Sequence, residues 1–280
     1  PFASWKDMAE SSQKEYDAVI VGSDQLWLPS NVMADYYTLN WVPGNVKKIA
    51  YATSFGIGNI PQKYKEMYRQ YLIRIDYLSA RETSGQEIIS ELTDRSVPLV
   101  NDPALLLDAN GWDEVIKDKP IINDKYIFCY FMGDNPEQRD FVKSLAKEKG
   151  LKIVALLHLD QFIETDEHYA DFTPWNISPA DFVNLVKYAE YVCTDSFHGT
   201  VFSIIYSRNF FTFKRFNKKA SLSTNTRITS LLTRIGLMDR LVDNLDKRPD
   251  NINDWRKIQE CVSDFRNDSG SWLIESINKQ

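Results

Sequence analysis

The stretch "EYVCTDSFHGTVFSIIYS", from Glu190 to Ser207, decides the fold. It opens with an apolar run of strand length, passes a small polar turn, and continues as an apolar segment of helix length. A strand that is apolar throughout is buried on both faces, as in a parallel sheet covered by helices. "NFFTF" (Asn209–Phe213) follows at once as a second strand of the same kind. The unit therefore reads strand–helix–strand.

Working upstream, the alternation repeats. "YIFCYFMG" (126–133) and "LKIVALLHL" (151–159) are strands, with "PEQRDFVKSLAKEKG" and "SPADFVNLVKYA" as the helices between. Further upstream, "DAVIVGSD" (17–24) and "KKIAYATSFG" (47–56) are strands that end in small polar turns. Pro61 opens a helix in which Tyr64, Met67, Tyr68, Tyr71, Leu72 and Ile75 follow helical spacing. "YLSARE" supplies another strand, a helix runs through Ile88, Ile89 and Leu92, and "VPLVNDPALLL" gives a short strand and a turn. Downstream, "STNTRITSLLTRIGL" reads as a helix with Ser or Thr caps before it and Gly236 ending it. Trp255, Ile258, Val262 and Phe265 mark one face of a final helix, and a further turn or two carry Trp272, Ile274 and Ile277.

Strand–helix alternation of this kind predicts an α/β protein with two doubly wound, Rossmann-like domains facing a cleft. The polar patch "GWDEVIKDKPIINDK" (111–125) breaks the rhythm and serves as the connection. The expected domains are residues 1–115, residues 116–250, and a C-terminal helix, 251–280, packing back towards the first domain.

Composition excludes several functions. The 280-residue chain has a net charge of −6 and no basic stripe, which argues against nucleic acid as a partner. Aromatic residues make up 13%, a surplus that suits a cleft handling sugars. Cys129, Cys193 and Cys261 are odd in number and widely spaced, as expected of reduced thiols in a cytosolic protein. No CxxC or HxH pair suggests zinc. No signal peptide or membrane-spanning run is visible. The oligomeric state is not fixed by any of these features.

In open parallel sheets ligands bind at the carboxyl ends of the strands, so the candidates are the residues that follow each strand. In the first domain these include Ser23, Asp24, Ser54, Gly56 and Arg81; in the second, Asp195, Ser196, His198, Gly199, Lys214 and Arg215. His198, one of three histidines, lies in the first turn of its helix, with Asp195 or Ser196 as the cap. A helix start favours anions, and a histidine beside it suits proton transfer to or from a phosphorylated ligand. The alternative is a capping turn whose histidine only fills space. Gly199 gives room for close approach by a ligand or another chain segment. Arg81 offers a fork for a carboxylate or phosphate, against an ion pair with Glu82 or Glu87. Lys214 and Arg215 reach the same sheet edge as His198 through a right-handed crossover. Arg227, near a helix start, is a weaker anion ligand. Asp24 suits a sugar hydroxyl or a helix cap. "SFGIG" lacks the third glycine of a dinucleotide fingerprint.

Five of these segments, "VIVGSDQLW", "IAYATSFG", "LSARETSGQEII", "VNDPALLL" and "TDSFHGTVFSIIY", resemble in order and spacing the polysaccharide pyruvyl transferase family. The resemblance runs from about Tyr16 to Leu241. It implies a fold similar to the two-domain GT-B glycosyltransferases. The implied activity is transfer of the enolpyruvate unit of phosphoenolpyruvate to a sugar of a surface polysaccharide or its precursor, forming a pyruvate ketal. It further implies Arg81 and His198 as functional residues, phosphoenolpyruvate as donor substrate, and no other cofactor. The acceptor it implies is a sugar or lipid-linked oligosaccharide. The location is cytoplasmic, with peripheral association at the inner membrane face left open. Two departures stand out. Ser196 occupies a position where many relatives carry arginine, leaving Lys214 or Arg215 to supply the charge. The initial βα unit with an Asn-Tyr-Gly motif is not in this sequence, so Pro1 is expected to mark a truncated start. A nucleotide-sugar glycosyltransferase and a non-catalytic carbohydrate-binding relative remain the alternatives.

Overall fold

The computed structural model describes residues 4–33, 35–116, 119–215, 226–245 and 247–279. The Ser and Thr caps expected at 221–224 fall outside them. The chain divides into two compact units: residues 1–106, 220–230 and 263–280 form the first, and residues 107–219 and 231–262 the second.

In the first unit β1 (Ala18–Val21), β2 (Lys47–Thr53) and β3 (Tyr77–Ala80) form a parallel sheet in that order. Ala80 also pairs with Leu99, so "VPLV" adds a fragment of a fourth strand. Both faces are covered. Val21, Ala50, Leu78 and Ala80 pack with Tyr68, Tyr71 and Leu72 of the helix Lys65–Leu72 and with Ile88, Ile89 and Leu92 of Thr83–Thr93. Tyr51, Ala52 and Val100 meet Trp272 and Leu273 on the other side. The final helix runs unbroken from Arg256 to Asn278.

In the second unit β4 (Tyr126–Tyr130), β5 (Lys152–Leu156), β6 (Tyr191–Thr194), β7 (Asn209–Phe213) and β8 (Leu241–Val242) are all parallel, in the order β5-β4-β6-β7-β8. This is a doubly wound sheet whose order reverses between β4 and β6, the switch point where ligands bind in such folds. Period-2 alternation explains the cover. Ile127 and Cys129 join Phe141, Val142 and Leu145 of the helix Pro136–Lys149 on one face. Phe128 and Tyr130 turn the other way, onto Phe182 of Pro179–Lys187, which meets Phe202 of Phe197–Ile205 edge to face. Burial drives the thiols of Cys129 and Cys193 well above the ordinary range, so both are inert core groups. No helix among the described residues is long and apolar enough to cross a membrane.

Candidate functional site

The carboxyl ends of β1, β2 and β3 gather five of the residues singled out from the sequence, together with Arg227. Arg81 follows β3, and its guanidinium reaches across the strand ends. Nη1 donates to Asp102 Oδ2 at 2.6 Å and to Ser23 Oγ at 2.9 Å, and Nη2 donates to Asp24 Oδ1 at 3.3 Å. Ser23 Oγ donates to the same Asp102 oxygen at 2.6 Å. Arg227, from the helix Thr226–Arg234, donates to Asp24 Oδ1 at 3.0 Å. Arg81 is therefore paired with Asp102 and Asp24, and Glu82 is turned elsewhere. Glu82 Oε1 accepts from Ser54 Oγ at 2.8 Å and from the Phe55 amide at 3.2 Å. Burial raises the Glu82 pKa, against the opposing pull of Arg81, Ser54, Arg227 and the Phe55 amide.

The backbone here is strained. Asp24 (φ 78°) and Ala52 (φ 53°) both lie in the left-handed region, and the pairing of β2 with β3 shifts register between Ala50 and Thr53. Such residues cost about 1–3 kcal/mol each and collect at functional sites, as do bulges that re-aim strand ends. Thr53 bridges to Asp24, and the Ser54 amide donates to the Asp24 carbonyl at 2.9 Å. Ser54 and Gly56 are buried by their own loop. The Gly56 amide donates to Ser54 Oγ at 3.0 Å, and a Cβ on Gly56 would sit 2.6 Å from Gln25 Nε2.

In the second unit the switch point is built around Asp195. Its side chain does not cap the following helix. It turns to the end of β4, where Oδ1 accepts from the Met132 amide at 2.8 Å and Oδ2 from the Gly133 amide at 2.9 Å. Ser196 is the cap, its Oγ accepting from the Gly199 amide at 3.4 Å, and His198 occupies the first turn, partly exposed. Gly199 accommodates Thr194: a Cβ there would sit 2.6 Å from Thr194 Oγ1. Arg215 Nη2 donates to the Asp195 carbonyl at 3.3 Å, and Nε lies 3.7 Å from Asp195 Oδ1. Lys214 instead pairs with Asp243 at 2.5 Å. Of the two basic residues, Arg215 is the one that joins the turn preceding His198.

Three partnerships escaped the sequence reading. Asp102 lies in the strand-end pair Asn101-Asp102, yet its partnership with Arg81 spans 21 positions. Glu82 looked like a surface partner for Arg81 and is fully buried. The third is a network of Arg139, Asp166 and His158. Arg139 Nη2 donates to Asp166 Oδ1 at 2.6 Å, and His158 Nδ1 lies 2.6 Å from Asp166 Oδ2. The only sequence signal was His158 at the end of β5.

The sequence model of the family described as polysaccharide pyruvyl transferase matches residues 1–215. No curated protein matches the chain. Among solved structures it is similar to a UDP-GlcNAc 2-epimerase from Neisseria meningitidis bound to UDP-GlcNAc, with TM-score 0.55 and 11% identity over 99% of this chain and 80% of that one. It is also similar to the S. aureus MnaA–UDP co-structure, with TM-score 0.52 and 15% identity over 99% and 76% of the two chains. A putative UDP-N-acetylglucosamine 2-epimerase from Listeria monocytogenes gives TM-score 0.51 and 15% identity over 97% and 77%. Identities this low speak to fold alone, and the fold they share is GT-B-like.

Proposed function

The chain belongs to the polysaccharide pyruvyl transferase family, and from that premise we propose that it transfers the enolpyruvyl group of phosphoenolpyruvate to two hydroxyls of a sugar. The observation that carries this reading is the match over residues 1–215, which takes in the ends of β1 to β7.

The chemistry needs a proton donor, an anion site and an acceptor with two hydroxyls. The methylene carbon gains a proton and becomes a methyl group, and the first sugar hydroxyl adds to the adjacent carbon and gives up its proton. The second hydroxyl then takes the place of phosphate. Its proton leaves with the phosphate, so two protons are released and two are taken up. His198, in the first turn of its helix, is the group we assign to proton transfer. Arg215, joined to the Asp195 carbonyl at the same turn, is assigned the positive charge that the resemblance to the family places at position 196 in many relatives. Arg81, nearly sealed from solvent by Ser23 and Asp102, acts as a positioning residue for the first unit's strand ends. The first unit's polar group serves the sugar acceptor. A peripheral location at a membrane where lipid-linked acceptors are assembled is part of the same proposal.

The test incubates the full chain with phosphoenolpyruvate and a panel of glycans, following phosphate release and the mass of the product. Glycan-dependent phosphate release with a pyruvate ketal in the product is expected. Binding of a nucleotide sugar with no response to phosphoenolpyruvate would overturn the reading.

A further inference from the structure

Asp24 is arranged in a way that stability alone does not explain. Its single oxygen Oδ1 accepts from Arg227 Nη1 at 3.0 Å, from the Gln25 amide at 2.9 Å and from Arg81 Nη2 at 3.3 Å. The two arginine side chains are buried, 8% and 2% exposed, whereas the Asp24 side chain is 56% exposed. An ion pair between surface groups contributes little, and burying a guanidinium carries a desolvation penalty. Arg81 already has a buried partner in Asp102 at 2.6 Å and reaches Asp24 only at 3.3 Å, but Arg227 is also brought to this half-open carboxylate, at 3.0 Å. The backbone adds to the cost, because Asp24 is a non-glycine residue at φ 78°, held there by pairing with Thr53 and Ser54. Strain persisting at the carboxyl end of a strand points from structure to function.

We propose that Asp24 is the acceptor-recognition residue of this protein, a fixed carboxylate that receives hydrogen bonds from the hydroxyls of a neutral pyranoside. This rests on the sugar-acceptor reading above and adds to it the residue and the ligand class. Two arginines and the Gln25 amide donate to Oδ1 of Asp24 and hold the carboxylate in place, a geometry suited to accepting hydrogen bonds. A carboxylate oxygen accepts hydrogen bonds and does not donate them, so the group fits the hydroxyl donors of a sugar ring.

The φ angle supplies a control for folding. Glycine adopts the left-handed region without strain and asparagine tolerates it while keeping an oxygen for Arg227, so neither Asp24→Gly nor Asp24→Asn adds backbone strain, and melting temperatures are read beside binding to separate any stability loss. Binding of methyl glucoside, galactoside, mannoside and N-acetylglucosaminide at millimolar concentration is read by saturation-transfer NMR without phosphoenolpyruvate. KM for the best acceptor is read with it. The wild-type protein is expected to bind at least one pyranoside, with both variants losing that signal and raising acceptor KM at least tenfold. If wild type transfers pyruvate and the variants keep acceptor KM within twofold, this assignment fails while the proposed function stands. If wild type binds a pyranoside and the variants do not, yet phosphoenolpyruvate is never consumed, the assignment stands and the proposed reaction fails. Absence of any pyranoside binding by the wild type overturns the assignment.

Discussion

Arg81 Nη1 lies 2.6 Å from Asp102 Oδ2, with the two side chains 2% and 3% exposed. Removing one member of such a pair leaves the other charged and buried. Arg81→Ala is therefore expected to cost about 3–5 kcal/mol, read as a shift of the urea midpoint. Asp102→Asn in the same background should recover part of the loss, because the stranded charge is then gone. Additive effects of the two substitutions would show that the pair is not coupled.

Gly199 tests close packing next to His198. A Cβ there meets Thr194 Oγ1 at 2.6 Å and Thr194 Cγ2 at 3.0 Å. Thr194 cannot yield easily, because its hydroxyl donates to the Tyr130 carbonyl at 2.5 Å and accepts from the Ser196 amide at 3.0 Å. Gly199→Ala should cost about 1–3 kcal/mol by overpacking. Thr194→Ser in that background removes the crowded methyl and should return part of it. Thermal denaturation of the single and double variants decides.

His198→Ala separates chemistry from folding. The side chain is partly exposed, so the melting temperature should move by no more than a few degrees. Loss of a general acid–base group typically lowers the rate by about 10²–10⁴-fold. Glycan-dependent phosphate release at a tenth or more of the wild-type rate would remove His198 from proton transfer.

Arg215 and Lys214 look alike in the sequence and are expected to differ in function. Arg215 contacts the Asp195 carbonyl at the turn before His198, whereas Lys214 pairs with Asp243, whose side chain is 65% exposed. Arg215→Ala should raise KM for phosphoenolpyruvate at least tenfold, and Lys214→Ala should leave it within about twofold. Steady-state kinetics at fixed acceptor reads both. Equal effects would remove the assignment of Arg215 as the charge that stands in at Ser196.

How far these sites were legible in the sequence follows from what each depends on. The strands were legible because burial on both faces leaves a run such as "YIFCY" with no polar position. Strand ends then located Arg81, Asp195 and His198 without further information. Partner choice was not legible, because it depends on tertiary register. Glu82 is adjacent to Arg81 in sequence, yet hydrogen bonds draw it to Ser54 and Phe55 while Asp102 reaches Arg81 from a neighbouring strand end. Left-handed backbone at Asp24 and Ala52 was hidden because neither is glycine. The final helix and the further turn or two carrying Trp272, Ile274 and Ile277 are one element, Arg256–Asn278.

The His158–Asp166 pair makes stability depend on pH in two windows. Burial opposes the charge on His158, but its bonds to Asp166 and to the Met132 backbone outweigh this and raise its pKa above 6.5. Burial likewise opposes the charge on Asp166, but His158 and Arg139 together lower its pKa below 3.8. A raised histidine contributes stability that is fully present below about pH 6.5 and is lost as pH rises through the folded value. A lowered aspartate contributes stability present above about pH 3.8 and lost as pH falls through the folded value. Urea midpoints should therefore fall as pH rises from about 6.5 through the folded value, and His158→Gln should flatten that limb. Asp166→Asn should reduce stability and remove the upward shift of His158, which NMR titration of the imidazole reads directly. A wild-type His158 titrating at or below 6.5 would remove this pair as the source of the alkaline limb.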